Sequence, residues 1–215
     1  MKKYYIRAIQ EALFEEMERD DSVFLMGEDV RIGCFAATRG LCAKFGEQRV
    51  IDTPISELGV AGAAVGAAVT GSRPIVDLMF GQFLMLAYDQ VSSQANAMRY
   101  MFGGQTKVPL VYLVQNGTGP CVGPHHSNSV HPLFMNIPLV TVVMPSNPAD
   151  AKGLLKSAIR DDNPVVFFNH TSIGGMKGEV PDGEYLIPLG KGDIKKSGTD
   201  ITLCAVGIMV NACLK

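Results

Sequence analysis

No C-x-x-C pair occurs in this sequence. Its five cysteines, Cys34, Cys42, Cys121, Cys204 and Cys213, are scattered. An odd count without zinc spacing reads as reduced thiols in a cytosol-like compartment. An excess of either charge is missing too: the net charge is -2, so no basic field attracts nucleic acid or anionic lipid. Long apolar runs are also lacking. The longest, Gly59 to Gly71, is too short and too rich in Gly and Ala to span a bilayer. Met1-Lys2-Lys3 resembles the opening of a signal peptide, but Arg7, Gln10 and Glu11 interrupt any apolar core behind it. Internal repeats and low-complexity tracts are not found. The expectation is a soluble protein of the cytoplasm, or of the mitochondrial matrix or plastid where a presequence has been removed.

What is present is a core. Hydrophobic residues make up 47% and charged residues 19% of 215 residues, enough for one substantial domain plus a fragment, or two small domains. Apolar residues at Tyr5, Ile9, Ala12, Leu13 and Met17 have helical spacing. Val23–Met26 is a buried strand ending at Gly27; a loop with a short helix covers 31–48; Val50-Ile51 is a short strand. A helix runs from about Glu57 to Thr70, closed by Gly71. Strand Pro74–Met79, helix Phe83–Met101, and strands Leu110–Val114 and Val140–Val143 follow. A further helix is capped by Asn147 with Pro148 at its first position, and Val165–Phe168 is a strand. This alternation, with near-continuous apolar strands, predicts an α/β fold with a mostly parallel sheet covered by helices on both faces. Gly174 to Thr199 is polar and reads as a connection, and Ile201–Val206 as a fresh strand. The expected division is a domain over 1–180, a connection over 181–200 and the start of a second α/β domain over 201–215.

Two segments invite chemistry. The helix from Glu57 carries small residues at Gly59, Ala63, Gly66 and Thr70. Each helical Gly costs about 1 kcal/mol relative to Ala, so close approach of another backbone must compensate, from a neighbour in the core or from a partner subunit. Glu57 itself is either a charge placed favourably at a helix start or a ligand contact at the carboxyl end of a parallel strand. The loop Gly117–Ser127 holds Cys121 and His125-His126. A metal site is disfavoured because no carboxylate or third His stands at ligand spacing except His131, and a thiol nucleophile at Cys121 because residues so close in one loop seldom supply a triad's geometry.

Asp52-Thr53-Pro54-Ile55-Ser56-Glu57-Leu58-Gly59, Arg73-Pro74-Ile75, Tyr100-Met101-Phe102-Gly103-Gly104, His126-Ser127 and Asp150-Ala151-Lys152-Gly153-Leu154-Leu155 together resemble the beta subunit of the decarboxylating component of pyruvate, branched-chain and acetoin dehydrogenase complexes. The resemblance covers essentially the whole chain in motif order. It implies a pyrimidine-binding domain of the transketolase type, contributing half of a thiamine diphosphate site. Glu57 would bond the ring nitrogen of the aminopyrimidine and favour the imino tautomer that deprotonates the thiazolium carbon. Phe83 would stack on the pyrimidine and Met79 line the pocket, with Glu28 and Asp89 matching acidic positions near the pyrimidine and the subunit interface. His126 would assist transfer of the acyl group to a lipoyl group. Leu110, Ala158, Ile159, Asp161 and Asn163 match a cluster whose backbone oxygens hold potassium in some relatives.

The resemblance also implies partners: an alpha subunit in a heterotetramer of two alpha and two beta chains, and a lipoyl-bearing dihydrolipoamide acyltransferase. Magnesium and the diphosphate need oxygen ligands. The family's anchor, Gly-Asp-Gly followed by Asn-Asn, is missing; Pro181-Asp182-Gly183 is its nearest match, so the alpha chain would hold Mg2+. The chain departs from the family at Leu86, Leu133 and Asn136 and in a short loop Arg31–Ala36. These departures leave the acyl substrate open and keep a non-catalytic assembly paralogue in view.

Overall fold

The computed structural model describes residues 1–119 and 121–215. Strand β1 (Lys2–Tyr4) leads into helix α1 (Tyr5–Arg19), followed by β2 (Val23–Gly27), α2 (Leu41–Phe45), β3 (Val50–Asp52), α3 (Glu57–Val69) and β4 (Arg73–Phe80). Next come α4 (Gly81–Leu84), α5 (Asn96–Met101), β5 (Val111–Asn116), α6 (His131–Met135), β6 (Thr141–Val143), α7 (Pro148–Arg160), β7 (Val165–His170), β8 (Lys177–Glu179) and α8 (Ile208–Cys213). Six strands form one parallel sheet in the order β3-β2-β4-β5-β7-β6, as the alternation predicts.

Both faces of that sheet are buried, which is why its strands lack polar alternation. Leu25, Ile75, Leu113 and Phe167 join α1 and α7 in one core, while Met26, Val76, Tyr112 and Phe168 join α3 and the segment after β4 in the other. Asn147 caps α7 as expected, accepting the Asp150 N–H at 2.9 Å. Helices α1 and α7 also meet through charge: Glu15 pairs with Lys152 at 2.6 Å and Lys156 at 2.7 Å, and Glu16 with Arg160 at 2.6 Å. Glu184 adds a further contact to Lys156, and the Tyr185 hydroxyl donates to Ala149 O at 2.9 Å, so the connecting segment is docked on this face.

The structure departs from three expectations. The helix read over Phe83–Met101 is a helical path with a 3-10 turn at Met85–Ala87 and a π segment at Gln90–Ala95. Lys2–Tyr4 pairs antiparallel with Lys177–Glu179, a two-stranded sheet that polar residues on both sides conceal from an apolar pattern. Ile201–Val206 forms no strand and is largely exposed. β-branched residues favour strands only where a neighbouring strand accepts their hydrogen bonds, and among the described residues none does.

Candidate functional site

Strand β3 lies on one side of β2 and β4 on the other, so the chain reverses its direction of winding between β2 and β4. Open parallel sheets bind ligands at the carboxyl ends of the strands flanking such a point. A cleft opens there, lined by Gly27, Glu28, Pro54, Glu57, Met79 and Phe83. Four residues named from the sequence therefore come together. Glu57 is half-buried at the first position of α3. Its helix start has no side-chain cap, since the Ser56 hydroxyl turns back to Pro54 O at 3.1 Å. Glu28 follows β2 and is half-buried as well.

Backbone geometry sets the floor of the cleft. A Cβ on Gly27 would stand 2.2 Å from the carbonyl oxygen of Asp77, its parallel partner, so only glycine lets the two strand ends close up here. Strand β4 then bulges: Asp77 faces Leu113 but Phe80 faces Gln115, one residue too many on β4. Met79 takes a φ of +59°, a left-handed conformation that costs a side-chain-bearing residue about 1–2 kcal/mol. Its N–H donates to Asp77 Oδ1 at 2.9 Å, which offsets part of that cost. Bulges of this kind re-aim side chains beside active sites; here the result is Met79 lining the cleft and Phe83 on α4 beside it.

An aromatic cluster connects the cleft to the His loop. The His126 ring stacks on Phe80 at 4.2 Å and meets the edge of Phe83 at 5.3 Å. Its Nδ1 is buried and has no hydrogen-bond partner among the described residues. The His125 ring lies 4.0 Å from that of His126, so the two do not point apart as neighbours in an extended loop would. They differ in setting instead: His125 is exposed and His126 half-buried against the phenylalanines. Cys121 donates to Gly119 O at 3.4 Å rather than meeting a His, and His131 Nδ1 is engaged with Asn116 Nδ2 at 3.2 Å, so neither the thiol nor the metal reading gains a geometry.

Residues 2–175 match the family described as transketolase, pyrimidine binding domain. The chain belongs to this family. Its sequence is 47% identical, over 97% of its length, to acetoin:2,6-dichlorophenolindophenol oxidoreductase subunit beta of Bacillus subtilis. It is 46% identical over 98% to the 2-oxoisovalerate dehydrogenase subunit beta of Bacillus subtilis, and 45% identical over 97% to the mitochondrial pyruvate dehydrogenase E1 component subunit beta of Rattus norvegicus. The chain spans 65%, 65% and 60% of the length of these relatives. A solved structure described as a split-gene transketolase, inactive beta4 tetramer, superposes with a TM-score of 0.79 over 99% of this chain and 65% of that one, at 22% identity; that likeness speaks to the fold. The similarities bear out the resemblance read from the motifs.

The remaining named residues lie elsewhere. Asp89 is exposed, with Gln94 Nε2 at 3.5 Å, and does not line the cleft. Leu110, Ala158, Ile159, Asp161 and Asn163 gather at one corner below the sheet, where several of their oxygens are already engaged. Ile159 O and Asp161 O each accept from Arg73 Nη1 at 3.0 Å, Leu110 O accepts the Val165 N–H at 2.8 Å, and Ala158 O accepts the Asp161 N–H at 3.3 Å. A potassium ion at this corner would share two of those oxygens with a guanidinium. Sequence reasoning missed Phe80 and Asp77. Asp77 had a signal: it is the one acid inside the apolar strand Arg73–Phe80.

Proposed function

We propose that this chain is the beta subunit of a thiamine-diphosphate-dependent 2-oxo acid dehydrogenase of the pyruvate dehydrogenase type, contributing the pyrimidine half of a site shared with an alpha subunit. The convergence of Glu57, Glu28, Met79 and Phe83 on the winding-reversal cleft, with His126 against Phe83, carries the reading. The residues fit an aminopyrimidine: a carboxyl at a helix start for the ring nitrogen, and apolar side chains for the ring face. The cleft itself encloses only about 20 Å3, far below the roughly 300 Å3 or more of a complete ligand pocket. It is one wall, and a second chain supplies the other.

When bound, the cofactor supplies carbanion chemistry at its thiazolium carbon. Glu57 would hold the proton at the pyrimidine ring nitrogen and so set the tautomer of the ring. Phe83 and Met79 fix the ring plane and keep water from it. His126, braced by Phe80 and Phe83, faces the incoming lipoyl group of a dihydrolipoamide acyltransferase and handles a proton during acyl transfer. The alpha chain holds Mg2+ and the diphosphate. The exposed face of α3, with Gly59, Ala63 and Gly66 beside the exposed Leu58, is open to a partner backbone: a Cβ on Gly66 would meet nothing within 4 Å. The neighbouring turn Met85–Ala87 presents Met85 and Leu86, 40% and 62% exposed, as apolar surface for the same partner. The acyl substrate is a 2-oxo acid, with acetoin the alternative, since identities of 47%, 46% and 45% do not separate the relatives.

The test is Glu57→Gln in the complex with the alpha chain. An isosteric amide keeps a hydrogen bond but cannot exchange the carboxyl proton. Hydrogen-deuterium exchange at the thiazolium carbon should slow by about 10²–10⁴-fold, with assembly unchanged. Exchange at the wild-type rate removes Glu57 from the mechanism.

A further inference from the structure

Three polar side chains gather on the other face of the same sheet end, Gln115 and Asn169 in register and Asp77 beside Leu113 one pair earlier. Asp77 on β4, Gln115 on β5 and Asn169 on β7 occupy the carboxyl ends of adjacent strands. Each lies two residues beyond a core residue of the α1 and α7 face, namely Ile75, Leu113 and Phe167. The period of two along a strand therefore directs all three toward that face. They line a cavity of about 340 Å3 together with Tyr5, Phe35 and His170. That is the size of a small-molecule site, mostly apolar with a few convergent polar groups.

The lining carries one carboxylate, that of Asp77. Asp77 has a single hydrogen bond among the described residues, from the Met79 N–H to Oδ1. Among the described residues, no Lys or Arg lines the cavity. Asn169 Oδ1 accepts from the Tyr5 hydroxyl at 3.3 Å, which leaves a second lone pair. The charge is negative, each neighbouring amide offers a carbonyl oxygen beside its NH2 group, and Tyr4, Tyr5 and Phe35 also line the space. An anion is repelled by this lining. A metal ion would want more than one carboxylate.

We propose that this cavity binds a small organic ammonium ion, with Asp77 as counter-ion, the amide oxygens of Gln115 and Asn169 as further acceptors, and the half-buried ring of Phe35 as a cation–π partner. The site is separate from the cleft of Glu57, although Asp77 borders both. It needs nothing from the thiamine reading and survives that reading's failure.

Protonation competes with this cation. Burial pushes the Asp77 carboxyl up to about 6, so it is ionised at neutral pH and largely neutral at pH 5. The titratable groups around it are Tyr4, Tyr5 and His170 in the cavity and Glu28 and Glu57 in the cleft. Burial, and then the field of His131, holds His170 below its ordinary range, so it adds no positive charge at neutral pH. Acid therefore weakens binding: about 10-fold at pH 5 relative to pH 7.5, by simple competition of proton and ligand for one carboxylate.

Calorimetric titration of the chain with n-propylammonium, and with n-propanol as its neutral counterpart, tests the proposal. The expected result is saturable binding of the amine at about pH 7.5, roughly 10-fold weaker at about pH 5, with no binding of the alcohol. Asp77→Asn, isosteric and uncharged, should weaken the amine at least 10-fold and remove its pH dependence. No amine binding at millimolar concentration overturns the proposal. So does equal binding of alcohol and amine, which would make the cavity merely apolar, or an Asn variant that binds as wild type does. The pH and alcohol arms need no variant and decide the matter even if Asp77→Asn folds poorly.

Discussion

Replacing Asp77 with Asn should make this protein more stable, not less, at neutral pH. The carboxyl has an ordinary pKa of 3.8 in an unfolded chain, and burial raises it to about 6 in the folded one. The folded state therefore binds its proton more tightly than the unfolded state does. Between those two values stability rises as pH falls; above about 6 the full cost of burying the ionised group is present. At 1.36 kcal/mol for each pKa unit, that cost is at most about 3 kcal/mol, reduced because Asp77 is half-buried rather than sealed. An amide oxygen can still accept the Met79 N–H, now 2.9 Å from Oδ1, so the bulge keeps its support. We expect Asp77→Asn to gain about 1–3 kcal/mol near pH 7.5, or several degrees in Tm, with the gain shrinking toward pH 4. Urea unfolding of both proteins at several pH values measures it; differences between the two cancel the titration of every other group. A variant less stable at neutral pH, or a difference that ignores pH, would refute the reasoning.

Other outcomes follow from the same geometry. In the complex with alpha chain and acyltransferase, His126→Ala should strongly reduce lipoyl acylation while sparing cofactor binding, because His126 packs on Phe80 and Phe83; equal loss from the exposed His125→Ala would reassign the role. Ala63→Leu places bulk on the exposed face of α3, so it should leave the isolated chain folded yet weaken assembly with the alpha chain by about 1–3 kcal/mol, read by sizing chromatography. Gly27→Ala forces a methyl to 2.2 Å from a backbone oxygen, and loss of several degrees in Tm is expected; an unchanged Tm would mean the β2–β4 register is looser than described.

How much of this was legible in the sequence depends on what each feature answers to. Buried parallel strands announce themselves as apolar runs, so Val23–Gly27 and Val165–His170 were readable. The Asn147-Pro148 start of α7 was readable because a cap is a local interaction. The strand pairing of Lys2–Tyr4 was not, since its partner is remote and its side chains are largely exposed. The strand expected at Ile201–Val206 failed for the opposite reason: propensity was present and a neighbour was not. At the site, period and spacing placed Glu57 at a helix start but could not choose between cap and ligand contact; only the motif resemblance named Met79, Phe83 and His126 with it. Asp89, which the resemblance also names, lies exposed outside the cleft. Asp77 was visible and unread, a lone acid in an apolar strand, whose meaning appears only once its missing counter-charge is seen.

The pairing of β1 with β8 and of α1 with α7 imposes an order on biosynthesis. The first helix offers Ile9, Leu13 and Met17 to a core whose other side includes Leu155 and Ile159, and Lys2 waits for Glu179. At about 5–20 residues per second, α1 waits roughly 10–30 seconds for α7, with only the earlier strands and α2 to cover it meanwhile. The domain closes as a clasp, with β1 and β8 meeting last.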